Sequence, residues 1–173
     1  RRLDPNRTIV ALGNYGYDWP KEKGAKKFDA ADPLTFSEAM VRANDSGVDI
    51  DYDSDALNPH FGYTDEDDGE EHEVWFLDAS TLFNQIKVVD AWRPRGYGLW
   101  RLGAEDPGVW TLFGRGYGHE DTKGMAVLPG GTEPDFDGTG EVLKVTATPK
   151  DGKRSLTIDS ATGLISDETY DVV

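Results

Sequence analysis

With 173 residues, 37% of them hydrophobic and 11% aromatic, the chain can fold one domain around a real core, but it is too short for a complete eight-stranded β/α barrel, which needs about 250 residues. Its formal net charge of −15 argues against nucleic acid or an anionic membrane as partner, since both are held by clustered Lys and Arg; residues 48–73 alone carry eleven Asp or Glu and neither basic residue. The absence of cysteine excludes disulfides and thiolate metal sites, no apolar run reaches the ~18 residues of a membrane span, and a start at Arg1 with no signal peptide reads as a piece of a longer protein.

Ile9, Val10, Ala11 and Leu12 form a short apolar run, the pattern of a strand covered on both faces. Gly13 and Gly16 then let the backbone turn, which places Tyr15, Tyr17 and Trp19 in a loop, and residues 21–33 read as a polar connector. Thr35 followed three residues later by Glu38 makes a capping box, and Phe36, Ala39, Met40 and Ala43 mark the apolar face of a helix that ends at Gly47. Val48 to Tyr52 alternates apolar and acidic; with residues 60–64 and 72–77 it predicts a small antiparallel meander. Asp78 is the expected N-cap of a second helix over 79–92, with Leu82, Ile86 and Val89 on one face. Residues 96–103 read as another buried strand, so 8–102 predict a βαβ unit interrupted by the meander, and Pro107 opens a helical turn over 107–113.

Beyond Gly114 the composition turns to Gly, Asp, Pro and Thr, which marks residues 116–139 as a linker. Residues 140–149 and 153–160 alternate around Lys150-Asp151-Gly152 as a hairpin, Thr162-Gly163 turns again, and 164–173 supplies a third strand.

Tyr15, Tyr17, Trp19 and Trp100 fall at or just beyond the C-terminal ends of the two apolar strands, where α/β folds bind ligands, and aromatic faces suit sugar rings; plain core packing is the alternative for each. Asp49, Asp51, Asp53 and Asp55, if they alternate along one strand, put four carboxylates on one face, a calcium candidate. Yet Ser54 stands where a calcium loop needs Gly, and His60 where it needs its closing Glu. Asp135, Asp137 and Glu141 form a second acidic candidate, whereas His60, His72 and His119 lack any metal-ligand spacing. No P-loop, dinucleotide fingerprint or Ser-His-Asp order is present, so no cofactor is expected, with calcium kept as the alternative.

The stretch 11-ALGNYGYDW-19 is similar to the seventh barrel strand of bacterial family 18 glycoside hydrolases of the spore-cortex-lytic type, and residues 73–110 resemble their seventh helix, eighth strand and final helix. The likeness covers about residues 8–115 and is strongest at 75-WFLDA-79 and 99-LWRLGAEDP-107; it is closest to the family-18-like domain that large bacterial membrane proteins fuse to a polysaccharide deacetylase and a family 2 glycosyltransferase. The resemblance implies an α/β fold: the last two β/α units of a (β/α)8 barrel over residues 1–115, an α+β antiparallel insertion at about 20–77, and a β-rich extension at 140–173. It also implies an extracytoplasmic cell-envelope protein acting on an N-acetylglucosamine-containing polysaccharide.

The family signature D-G-x-D-x-D-x-E is matched by 46-SGVDIDYD-53 at all but its ends, which would put Asp53 in the place of the catalytic acid. The resemblance places the family's catalytic acids on strand four, upstream of this chain, so no catalytic residue is expected here and 46–55 reads as an acidic strand of the insertion. In the family, the acid protonates the leaving oxygen and the substrate's N-acetyl group attacks. What the resemblance assigns to this chain is sugar binding. Trp100 matches the tryptophan that floors the subsite of the reacting sugar, Tyr15 ends strand seven, and Tyr17, Asp18 and Trp19 line the cleft rim. A non-catalytic carbohydrate-binding module and an acidic, calcium-stabilised interaction domain are the rival readings. The edge of strand seven is expected to pair with a second copy of the chain.

Overall fold

The computed structural model describes residues 3–21, 30–67, 69–112, 142–147, 153–159 and 161–171. After a 3-10 turn at Pro5–Arg7, β1 (Ile9–Gly13) runs parallel to β7 (Gly96–Trp100), with Ile9 opposite Gly96 and Gly13 opposite Trp100. Between them the chain builds a five-stranded antiparallel sheet from β2 (Gly16–Lys21), β3 (Asp32–Leu34), β4 (Asp51–Asp53), β5 (Asn58–Thr64) and β6 (Glu71–Phe76), in the order β3-β2-β6-β5-β4. Helix α1 (Phe36–Ser46) covers one face of that sheet; helix α2 (Ala79–Asp90) follows it in the chain, and the short α3 (Val109–Leu112) comes after β7. The last sheet holds β8 (Val142–Ala147), β9 (Lys153–Asp159) and β10 (Ile165–Asp171) in the order β10-β9-β8.

Local chemistry sets these boundaries. The Thr35 hydroxyl accepts from the Glu38 amide at 3.2 Å and the Glu38 carboxylate accepts from the Thr35 amide at 2.7 Å, which closes the capping box. Gly47 ends α1 at φ 62°, the left-handed conformation that favours glycine. Asp78 caps α2 by accepting from the Thr81 amide at 2.8 Å. At Gly16 the strands approach so closely that a Cβ would lie 2.6 Å from the Phe76 Cβ, so only glycine fits.

The parallel β1–β7 pair with α2 between them in the chain is the expected βαβ unit, and β4, β5 and β6 form the expected meander. Four expectations change. The strand at β1 is covered on one face only: Val10 and Leu12 pack on the α2 core, while Ile9 is 65% exposed and Ala11 is exposed as well. β7 is likewise half-covered, with Trp100 67% exposed. A short apolar run marks a strand without saying how many layers cover it. The loop after Gly13 is instead strand β2, so the insertion sheet begins at Gly16 rather than near residue 20, and β3 adds its edge at the end of the expected connector. The acidic strand shrinks to β4, which pairs Asp51 with His60 and Asp53 with Asn58; a turn takes residues 54–57.

The fourth change concerns the C-terminal sheet. Leu156, Ile158 and Ile165 share one core with Leu12, Leu82, Ile86 and Leu112, and the Tyr170 ring lies 6.4 Å from Phe36 and 6.3 Å from Phe76. The Asn84 side chain brackets Ile165, donating to its carbonyl and accepting from its amide, both at 2.7 Å, and the Tyr170 hydroxyl donates to Asp78. The sheet is part of the domain's packing. The expected linker, its acidic pair Asp135 and Asp137, Glu141, His119 and the turn at Lys150 to Gly152 lie outside the described residues.

Candidate functional site

Alternation along β2 sorts the first candidate residues onto two faces. Asp18 and Gly16 point toward α1 and are buried, whereas Tyr17, 37% exposed, and Trp19 lie on the opposite face. The antiparallel register then carries that open face across the sheet. Tyr17 pairs with Trp75 and Trp75 with His60, while Pro33 and Asp51 flank the row on the edge strands. A second row runs from Trp19 to Glu73 to Gly62.

Ring contacts gather this face into two aromatic groups, which the register pair Tyr17 and Trp75 sets side by side. Tyr15 meets Tyr17 edge-on at 5.6 Å, Tyr17 lies 5.5 Å from Trp19, and His60 stacks on Trp75 at 4.3 Å and 11°. The Glu73 carboxylate accepts from the Trp75 indole at 2.6 Å and so fixes its orientation. Beside it, β1 and β7 end together: the Asn14 amide donates to the Trp100 carbonyl and its side chain to the Arg101 carbonyl, both at 3.0 Å, and the Leu77 amide donates to the Tyr15 carbonyl at 3.1 Å. These bonds join the ends of the parallel pair to the first and last strands of the insertion. Tyr15 and Trp100 therefore stand at one end of the βαβ unit, where that unit meets the aromatic face.

Asp18 does something different from its neighbours. It is 2% exposed, and it accepts from the Tyr63 hydroxyl at 2.9 Å, contacts His72 Nδ1 at 2.8 Å and pairs with the Arg42 guanidinium. Burial, then the hydrogen bond to Asp18, pushes the Tyr63 hydroxyl above its ordinary range, so it stays protonated as a donor. The structure thus puts Asp18 behind the open face, pinning β2 to α1. The surface concavity on that side is lined by Asp18, Arg42, Tyr63, His72 and acidic neighbours.

Asp53 is engaged in the turn after β4. Its carboxylate accepts from the Asp55 amide at 2.9 Å and the Ala56 amide at 2.6 Å, and these bonds hold it below the usual carboxylate range, opposite to what a general acid at neutral pH needs. Among the described residues no group of three or more His, Asp or Glu is placed to hold a metal. The four aspartates from 49 to 55 are not set along one strand, since only Asp51 and Asp53 belong to β4.

The sequence alone does not mark His60, Glu73 and Trp75 as one site. The signal was there in the alternation of 72–77, where Glu73 and Trp75 share a side, but joining them to Tyr17 needs the pairing of β2 with β6, and β2 read as a loop.

No family profile matches the chain. It is 34% identical over 113 residues to the cortical fragment-lytic enzyme of Bacillus subtilis, a match covering 64% of this chain and 25% of that protein. It superposes on the spore cortex-lytic enzyme SleL of Bacillus megaterium with a TM-score of 0.55 at 31% identity, covering 64% of this chain and 25% of that one. A chitinase from Chromobacterium violaceum matches with a TM-score of 0.54 at 26% identity, over 63% of this chain and 32% of its own. The likenesses indicate a chitinase-like domain of the glycoside hydrolase family 18 kind. The chain spans about a quarter of the length of the Bacillus relatives it matches.

Proposed function

We propose that this chain forms the sugar-binding end of a family-18-like barrel domain that handles an N-acetylglucosamine-containing polysaccharide in a bacterial cell envelope. In this reading β1 and β7 are the last two strands of the barrel, and the five-stranded sheet is the insertion that walls its cleft. The observation that carries the proposal is that Trp100 ends one of two parallel strands while the cluster Tyr15, Tyr17 and Trp19 follows the end of the other, the end at which barrels bind their ligands. Trp100 is 67% exposed, so its indole face is free to floor a sugar ring.

The chain supplies binding and orientation. In this reading Asp53, whose carboxylate is held by amides of its own turn, is not the acid, and the catalytic carboxylate belongs to an upstream part of the parent. The fragment alone should therefore bind sugar without hydrolysing it. The parent is proposed to be extracytoplasmic and membrane-attached, with deacetylase and glycosyltransferase units on the same polypeptide.

Titrating the chain with N-acetylglucosamine trimer while following tryptophan fluorescence tests the reading. A saturable change is expected, weakened at least about tenfold in Trp100→Ala, the scale at which a stacked aromatic platform contributes. No response, or an unaltered response in Trp100→Ala, contradicts it.

A further inference from the structure

We propose that the open face of the insertion carries a second sugar subsite over Gly62, walled by His60, which Trp75 backs by stacking, and bordered by Glu73. It rests on the reading of Trp100 as a sugar platform and extends it to a further pyranose of the same N-acetylglucosamine-containing chain.

Three independent features meet there. The first is continuity: the row from Tyr17 through Trp75 to His60 crosses two strand spacings, about 10 Å, outward from the cluster of Tyr15, Tyr17 and Trp19. The second is room. Gly62 is exposed, a Cβ there would meet only the His72 carbonyl at 3.6 Å, and a concavity of about 460 Å³ opens along β5 and β6, lined by His60, Gly62, Thr64, Glu71 and Glu73 together with Tyr63 and His72. A glycine in the middle of a seven-residue strand weakens the strand unless something has to approach the backbone closely. The third is chemistry suited to a pyranose, which has an apolar face and a rim of hydroxyls. The indole is held by Glu73 and stacked on the His60 imidazole, so the wall is rigid before any ligand arrives. The Glu73 and Glu71 carboxylates and the Thr64 hydroxyl supply acceptors for the hydroxyls.

Gly62 also makes the test clean. It lies in β5 and is not among the positive-φ glycines, so a β-branched side chain suits its backbone while filling the floor of the subsite. The dimer and the hexamer of N-acetylglucosamine are compared on the 173-residue chain, by calorimetry and by the imidazole NMR signals of His60. The hexamer is expected to bind about tenfold tighter than the dimer and to move the His60 signals. In Gly62→Val both effects vanish while dimer binding and the melting temperature hold; Gly62→Ser is read in the same way if valine prevents folding.

A hexamer advantage that survives in Gly62→Val, or His60 signals that stay still at saturation, overturns the second subsite and leaves the Trp100 reading standing. His60 signals that move while Trp100→Ala changes nothing overturn the Trp100 reading and leave the second subsite standing. Oligomers that do not bind at all overturn both.

Discussion

Asp18 and Tyr17 are neighbours in the chain and have opposite jobs. Tyr17 faces outward in the aromatic row; Asp18 is buried with Arg42, His72 and Tyr63 around it. Removing one partner from such a buried charged cluster leaves the others uncompensated, so Asp18→Ala is expected to cost about 2–4 kcal/mol in urea denaturation. If Asp18 were instead a rim residue that touches sugar, the variant would lose binding and keep its stability. Exposed carboxylates act at the other end of the pH scale. The Thr35 amide and hydroxyl hold Glu38 below its ordinary range, and amides of the following turns do the same for Asp53 and Asp159. A depressed carboxylate stabilises the fold fully above its unfolded pKa and loses that contribution as pH falls through its folded value. Thermal melts should therefore decline below about pH 4, and less steeply in Glu38→Gln. An equal decline in wild type and variant would remove Glu38 from the account.

Among the elements, α1 and α2 are legible because their signals are local: a capping box, a cap aspartate, a glycine stop and a stripe at helical spacing. Strand β2 is hidden because Gly13 and Gly16 read as breakers. Gly16 is needed for close approach to β6, and Pro20 falls near the end of its strand. The aromatic site was half visible for the same reason: Tyr15, Tyr17 and Trp19 lie in one stretch, but Trp75 and His60 join them only through pairings the sequence does not display. The extension's strands were visible, and their place was not, since alternation reports a buried face without naming what covers it. That place yields a prediction. Ile165 is fully buried in the core it shares with Leu82 and Ile86, so Ile165→Ala is expected to lower the stability of the whole domain by about 2–5 kcal/mol in one cooperative transition. A separate low-temperature transition, with the rest unchanged, would show the sheet to be an independent appendage.

At the scale of the whole molecule, the −15 charge and the open β1–β7 pair decide behaviour in solution. Among the described residues β1 pairs as a strand only with β7, and its Ile9 is 65% exposed. The isolated chain is expected to self-associate through this strand edge, giving a sedimentation mass above the 19.1 kDa of one chain. A monomer at high concentration would contradict that. Calcium should leave the melting temperature where EDTA leaves it, because Asp53 and its neighbours are engaged in a turn; a rise with calcium would revive the cation reading. Sugar is expected to bind on one surface running from Trp100 to the insertion's open face. Indole NMR signals report on it directly, since the five tryptophans divide into Trp19, Trp75 and Trp100 on that surface and Trp92 and Trp110 elsewhere. Titration with N-acetylglucosamine hexamer should shift the first three signals in a saturable way and leave the other two unchanged; no shift at all, or shifts of equal size at Trp92 and Trp110, would contradict the account.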